Sequence, residues 1–127
     1  MIIPHLTKQE HKMTLENFFK QLANTPESIE FKQVMDLIEQ YYEYSPASFR
    51  NGPELYNEAG TNEGSCKIFA FAQLEGLSQN ETLACFGKFY REEVLEQPDA
   101  NNHGNIRAFI KFGWNGIQFD GIALVKR

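Results

Sequence analysis

The fold depends most on residues 64–74, which read Gly-Ser-Cys-Lys-Ile-Phe-Ala-Phe-Ala-Gln-Leu. From Ile68 to Ala72 every side chain is apolar, a pattern typical of an element that is buried on all sides. In so short a run, periodicity does not distinguish a buried helix from a buried strand, but the alanines favour a helix. We therefore expect a buried helix here.

Two amphipathic helices are predicted before this segment. The first begins at Thr14, whose hydroxyl can cap the first turn. The second has a start signal in residues 25–27, Thr-Pro-Glu, because threonine can cap and proline fits the first helical position. We expect it to end before Ser45-Pro46. The two apolar stripes are Leu15, Phe18, Phe19 and Leu22, and Phe31, Val34, Met35, Ile38, Tyr41 and Tyr42.

Two further helices are predicted after residues 64–74. Residues 78–81, Ser-Gln-Asn-Glu, have the pattern of a capping box. The helix they start carries Leu83, Phe86, Gly87, Tyr90 and Val94 on one face and stops at Pro98. Asn102 is expected to cap a short last helix with Ile106, Phe109 and Ile110.

The β structure is expected in the two regions outside these helices, residues 45–65 and the C-terminal region. Short strands are predicted around Phe49 and Leu55, within the glycine- and proline-containing residues 45–65. Asp120-Gly121 lies between two apolar runs and is a turn signal for a hairpin, which must pack on the helices or pair with the Phe49 region. The predicted fold class is α+β, mostly α, with about five helices and a small antiparallel β element that includes this C-terminal hairpin.

Composition excludes several classes of protein. The 127 residues fit a single domain, assigned to residues 13–127 after a flexible leader at 1–12. The net charge is −5 and the pI about 5.2, with no run of Lys or Arg, so we expect neither a nucleic-acid nor a membrane partner. No stretch is long enough to span a bilayer. Two cysteines and no secretory signal indicate a soluble, cytoplasmic protein with reduced thiols. We also expect it to be a monomer.

Cys66 is the sharpest candidate for chemistry. A thiol at the start of a helix gains thiolate character from the helix dipole, and Gly64 permits close backbone approach. A cysteine hydrolase would use His103 as the base and Asn105 or Asp99 as the orienting group. The alternative is structural: Ser65 caps the helix and Cys66 packs as a small apolar side chain.

Other candidate binding residues are Arg50, Asn51, Lys67 and Trp114. Arg50 and Asn51 precede Gly52-Pro53 in a turn, where the arginine could bind an anion. Trp114 is either a core residue or a ligand-stacking one. The three histidines lack zinc-site spacing, and no phosphate-binding or dinucleotide-binding motif is present, so we expect no metal and no cofactor.

Several strings resemble the HopJ type III effector family of small bacterial proteins. They are residues 45–52 (Ser-Pro-Ala-Ser-Phe-Arg-Asn-Gly), 64–74, 81–87 (Glu-Thr-Leu-Ala-Cys-Phe-Gly), 105–107 (Asn-Ile-Arg) and Gly113-Trp114. The resemblance covers about residues 13–125. It implies delivery into host cells by a type III secretion apparatus, but it supplies no activity and no catalytic residue.

Three functional hypotheses follow. The first is a non-catalytic binding or effector-like module that meets a protein partner through residues 45–65 and the helix start near Cys66. The second is a hydrolase that uses Cys66 and His103. The third is a cytosolic housekeeping protein that is never secreted. Because no complete catalytic motif is present, we expect the first.

Overall fold

The computed structural model describes residues 13–127, so the predicted leader at 1–12 lies outside the described residues. Helix α1 spans Leu15–Asn24, and Thr14 Oγ1 accepts a hydrogen bond from the backbone N–H of Asn17 at 3.0 Å. This confirms the predicted first helix and its cap.

Helix α2 spans Phe31–Tyr41 and starts later than predicted. The Thr-Pro-Glu signal begins only a short 3-10 turn, Pro26–Ser28. Ile29 then becomes extended and is fully buried, which interrupts the helix, and α2 restarts with a capping box between Glu30 and Gln33.

Helix α3 spans Glu63–Glu75 and confirms the helical interpretation of the central segment. Its side chains enter the core on two sides. Phe69 contacts the rings of Phe49, Phe86, Phe109 and Trp114. Phe71 contacts the rings of Phe18, Phe19 and Tyr42. The helix therefore joins two aromatic clusters, and Gly76 ends it in the left-handed conformation.

The predicted helix from residue 79 towards Pro98 is broken into two. Helix α4 spans Gln79–Ala84 and keeps the predicted capping box, and α5 is the single turn Lys88–Arg91. Gly87 separates them with φ +61°, and a Cβ at this position would lie 2.8 Å from the backbone nitrogen of Phe31. Close contact with the start of α2 therefore breaks the helix.

Helix α6 spans Gly104–Phe112 and is followed by the 3-10 turn Gly113–Gly116. Its N-cap is His103, with φ +55°, and not the predicted Asn102. Asn102 instead accepts hydrogen bonds from the guanidinium of Arg107.

In the part of the chain that the structure describes, five short strands form two antiparallel sheets. Strands β1 (Tyr42–Tyr44) and β5 (Leu124–Lys126) pair with each other. Strand β2 (Phe49–Asn51) lies between β3 (Tyr56–Asn57) and β4 (Ile117–Phe119). This confirms the predicted strands near Phe49 and Leu55. It also confirms that the C-terminal region pairs with the Phe49 region.

The prediction of a C-terminal hairpin was wrong, because β4 and β5 belong to different sheets. Phe119 lies opposite Phe49, with stacked rings 5.1 Å apart, whereas a two-residue turn at Asp120-Gly121 would have put it opposite Ile122. The stacked ring of Phe119 covers Phe49, which is 0% exposed, whereas Ile122 is 76% exposed. With six α-helices and two small sheets in residues 13–127, the α+β, mostly helical fold class is confirmed.

Candidate functional site

A cavity of about 340 Å³ lies between the starts of α3 and α6. It brings together Gly64, Ser65 and His103, three of the residues that the sequence suggested, and Asn105, the suggested orienting residue. Its lining consists of Phe31, Asn62, Gly64, Ser65, Phe86, Phe89, His103, Gly104, Asn105 and Ile106. Residues 62–65 and 103–106 are each the N-cap and first turn of a helix.

Both helix starts lack a side-chain cap. In α1 and α4 a hydroxyl accepts a hydrogen bond from an N-terminal amide, but no side chain does so in α3 or α6. Within residues 13–127, the first intrahelical bonds of α3 and α6 come from Cys66 N–H to Asn62 and from Arg107 N–H to His103. The amides of residues 63–65 and 104–106 are therefore left to bind water or a ligand.

The backbone at these two helix starts is unusual. Among the described residues, Asn62 and His103 are the two non-glycine positions with positive φ, at +50° and +55°. This conformation is uncommon for residues with a Cβ, although asparagine and histidine adopt it more readily than most. Such residues cluster at functional sites, where the surrounding structure holds them in place.

A network of four asparagines, three of them buried, connects the two helix starts. Asn57 Oδ1 accepts hydrogen bonds from Asn62 Nδ2 at 2.8 Å and from Asn105 Nδ2 at 2.9 Å. Asn51 Nδ2 donates to the backbone oxygen and to Oδ1 of Asn105, at 2.8 and 3.0 Å. Asn51, Asn57 and Asn105 are at most 7% exposed, so these bonds replace water in the interior. The network holds the starts of α3 and α6 in a fixed relation.

His103 projects into the cavity from the start of α6. Its Nε2 lies 2.7 Å from Glu93 Oε1, and its ring packs against Phe89 with centroids 5.2 Å apart. The guanidinium of Arg107 fixes the segment that carries Glu93, because it donates to the backbone oxygens of Glu93, Pro98 and Asn102. The orientation of the imidazole is thus set from two sides.

Aromatic side chains form the apolar wall of the cavity. Phe31 and Phe89 pack edge to face, 5.1 Å apart, and Phe86 lies beside them. The close packing of Phe31 favours glycine at position 64, because a Cβ on Gly64 would lie 2.7 Å from Phe31 Cζ.

Cys66 does not line this cavity. Its thiol is 1% exposed and donates a weak hydrogen bond to the backbone oxygen of Ala47, with sulfur and oxygen 3.6 Å apart. Burial raises the pKa of the Cys66 thiol above its usual value, which opposes thiolate formation. No hydrogen bond within residues 13–127 joins Cys66 or Ser65 to His103. The Cys66–His103 pairing stays a prediction that this geometry does not favour.

The other suggested residues lie apart from the cavity, or behind it. Arg50 packs over the ring of Tyr56, 5.4 Å from its centroid, and Lys67 over that of Tyr44 at 4.8 Å. Trp114 packs edge-on against both Phe69 and Phe109 and donates from Nε1 to Leu77 O at 3.2 Å, which is a core role. Asn51 lies in the asparagine network, where its Oδ1 has no hydrogen-bond partner among residues 13–127. Asp99, the other suggested orienting residue, is exposed in the loop before α6.

Sequence reasoning did not single out several residues of the site, among them Phe31, Asn57, Phe86, Phe89 and Glu93. They come from separate elements that only tertiary packing brings together. The asparagines at 51, 57, 62 and 105 were the one available signal, since asparagine is depleted from strands and helix interiors. Within residues 13–127, no group of three or more His, Cys, Asp or Glu side chains could hold a metal ion. No helix in this range is long and apolar enough to cross a membrane.

The fold and the cavity define a small α+β protein with one polar pocket between two helix starts. The family model described as HopJ type III effector protein matches residues 15–124, so the chain belongs to this family. A crystal structure described as an unknown function protein, VPA0580, is 52% identical. The match covers 91% of this chain and 96% of that chain, with a TM-score of 0.89. No curated protein matches the chain.

Proposed function

We propose that this HopJ-family protein is a non-catalytic binding module whose cavity holds a small ligand with a carboxylate or phosphate group. One observation carries the proposal: two helix starts that are distant in the sequence, with free amides, line the same cavity of about 340 Å³ together with an imidazole and an aromatic wall. A concave pocket with a few convergent polar groups is typical of a ligand site.

Backbone amides at a helix start attract anionic groups because the N–H groups and the helix dipole favour negative charge. The two nearest carboxylates have partners of their own. Glu63 accepts a hydrogen bond from the Tyr44 hydroxyl at 2.9 Å, and Glu93 contacts His103. The amides of Ser65 and Asn105 therefore remain available to an acidic ligand.

A titration followed by amide NMR tests this proposal, with octanoate as the probe and octanamide as its uncharged control. We expect octanoate to shift the amide signals of Gly64, Ser65, Asn105 and Ile106, and octanamide to shift them much less. No shift at these amides, or equal shifts with both compounds, would contradict the proposal.

A matched pair of variants locates the site. Gly104 lines the cavity, and a Cβ there would meet nothing closer than a methyl group of Leu55 at 3.9 Å. Gly104→Leu should therefore fold and obstruct binding. Gly121→Leu adds the same side chain at a position with no neighbour within 4 Å and should leave octanoate binding unchanged.

We further propose that the module acts as an effector delivered by a type III apparatus, which its family membership supports. The competing hypothesis is a housekeeping protein that stays in the bacterial cytoplasm. Fusion of residues 1–20 to a reporter separates the two. Export that depends on the type III apparatus supports delivery, and retention of the reporter supports the housekeeping role.

A further inference from the structure

A separate groove of about 320 Å³ lies beside Arg50, on the outer face of the three-stranded sheet. It shares no lining residue with the first cavity, and its side chains include those of Arg50, Phe112, Asn115 and Gln118. Arg50 is the central residue of β2, and its direct cross-strand neighbours are Tyr56 of β3 and Gln118 of β4. Directly opposed residues share a sheet face, so these three side chains lie next to one another.

This sheet face presents aromatic rings and an arginine to solvent. Tyr56 and Phe112 are among the exposed large apolar side chains. The guanidinium of Arg50 lies over the Tyr56 ring, and the Phe112 ring rests on Gly52, where a Cβ would collide with it. Arginine and aromatic residues are enriched in protein interfaces and at their energetic centres. The composition of this face is therefore that of an interaction surface.

The guanidinium of Arg50 is the unpaired charge on this surface. Arg91, Arg107 and Arg127 each donate side-chain hydrogen bonds. Within residues 13–127, the side chain of Arg50 takes part in no hydrogen bond and no ion pair. Its N–H donors are thus available to an acceptor from outside the described chain.

The charges around the groove favour an acidic partner. No carboxylate of residues 13–127 lines it. Of the two acids that flank the lining residues in the sequence, Asp120 accepts a hydrogen bond from the Tyr56 hydroxyl at 3.0 Å, and Glu54 is exposed. On the other side, the ammonium of Lys111 lies 5.3 Å from the centroid of the Phe112 ring. A protein with a net charge of −5 therefore presents two cations beside this one groove.

We infer that this sheet face docks a segment of a protein partner in which an acidic side chain stands beside an apolar one. The carboxylate accepts parallel hydrogen bonds from the Arg50 guanidinium, whose planar fork matches its geometry. The apolar side chain packs on the Phe112 ring, and the amide side chains of Asn115 and Gln118 are placed to bind the partner's backbone. This inference goes beyond the proposed function, because the groove is separate from the ligand cavity.

NMR titrations with two peptides test the inference. The probe is acetyl-Gly-Phe-Glu-Gly-amide, and the control is acetyl-Gly-Phe-Gln-Gly-amide, which lacks the charge. We expect the glutamate peptide to shift the amide signals of Gly52, Phe112 and Gln118 and the Nε–H signal of Arg50. It should bind about two- to fivefold more tightly than the glutamine peptide, which is the range expected for an exposed ion pair.

A matched pair of variants assigns this preference to one residue. Arg50→Gln should fold, because the side chain is exposed and makes no hydrogen bond within residues 13–127, and it should lose the preference for the glutamate peptide. Lys20→Gln removes the same charge from the exposed side of α1 and should keep the preference. A preference that survives in Arg50→Gln, or that disappears equally in Lys20→Gln, would overturn the inference.

A further comparison requires no variant. Sodium acetate supplies a carboxylate without the apolar side chain and should shift the same signals much less than the glutamate peptide does. Equal shifts with acetate would mean an adventitious ion only, and the absence of shifts at Gly52, Phe112 and Gln118 would mean no docking, so either result overturns the inference. Octanoate binding at the first cavity is measured at other amides, so the proposed function stands or fails independently.

Discussion

Asn57 and Asn105 form a reciprocal pair of side-chain hydrogen bonds in the interior of the protein. Asn57 Nδ2 donates to Asn105 Oδ1 at 3.0 Å, and Asn105 Nδ2 donates to Asn57 Oδ1 at 2.9 Å. Strand β3 is thereby connected to the first turn of α6. Asn62 joins the same oxygen of Asn57, so the pair also fixes the start of α3.

We expect Asn57→Ala to lower the free energy of unfolding by about 2–3 kcal/mol, because it leaves the buried Nδ2 of Asn105 without a partner and removes the acceptor of Asn62 Nδ2. Urea unfolding measures this loss. The control is Asn115→Ala, at an exposed site, which should stay within about 0.5 kcal/mol of wild type. Equal stability of both variants would show that the network does not hold the helix starts together.

Gly87→Ala is expected to destabilise the protein by about 2–4 kcal/mol, because it combines a left-handed backbone with a contact of 2.8 Å to the backbone of Phe31. Thermal unfolding measures the change. Gly121→Ala provides the comparison, since its Cβ would meet no atom within 4 Å. A wild-type melting temperature in Gly87→Ala would mean that the break between α4 and α5 has another cause.

Native Cys66 should react slowly with iodoacetamide at pH 7.5. Its thiol is buried and hydrogen-bonded to Ala47, and its raised pKa keeps it protonated. Mass spectrometry after timed labelling gives the rate, and the same protein in urea serves as the reference for an accessible thiol. Labelling of native Cys66 faster than this reference would restore the thiol-hydrolase hypothesis.

Stability should fall as the pH rises above about 9, and Cys85 should contribute to this fall. Burial, with a smaller effect of Glu81, raises the pKa of Cys85 from 9.0 to about 12. The folded state therefore holds the thiol proton more tightly than the unfolded state. The stabilisation is complete below pH 9 and is lost between pH 9 and 12, at up to about 1.4 kcal/mol per pH unit.

Comparison of wild type with Cys85→Ala isolates this contribution. Urea unfolding at pH 8, 9 and 10 should show a smaller loss of stability above pH 9 in the variant. Identical pH dependence of the two proteins would mean that the Cys85 thiol does not titrate differently in the folded and unfolded states.

Local sequence signals predicted local structure well. The hydroxyl of Thr14 and the Ser78–Glu81 capping box lie at helix starts as expected, because a cap needs only residues within one turn. The apolar run from Ile68 to Ala72, which contains two alanines, is helical for a similarly local reason. The predictions that depended on more distant partners were less reliable. The break at Gly87 follows from contact with Phe31, and the pairing of Phe119 follows from stacking on Phe49.

At the candidate site, too, local features were predicted and contacts between distant residues were not. The sequence analysis suggested Gly64, Ser65 and His103 as site residues, and it proposed Cys66 as the reactive group. In a helix, successive side chains point about 100° apart, so Ser65 and Cys66 face different surroundings. Only the packing of α3 against its neighbours decided that Cys66 faces the core and that Ser65 faces the cavity.

The sequence by itself determined the fold class, the family resemblance and the existence of most helices, because hydrophobic periodicity and caps act over a few residues. The tertiary structure alone decided that two helix starts, separated by about forty residues of chain, share one cavity. That arrangement depends on the asparagine network and on the Phe31–Phe89 contact, which join residues from distant parts of the chain. No local pattern encodes such contacts, since they form only when the core brings the elements together.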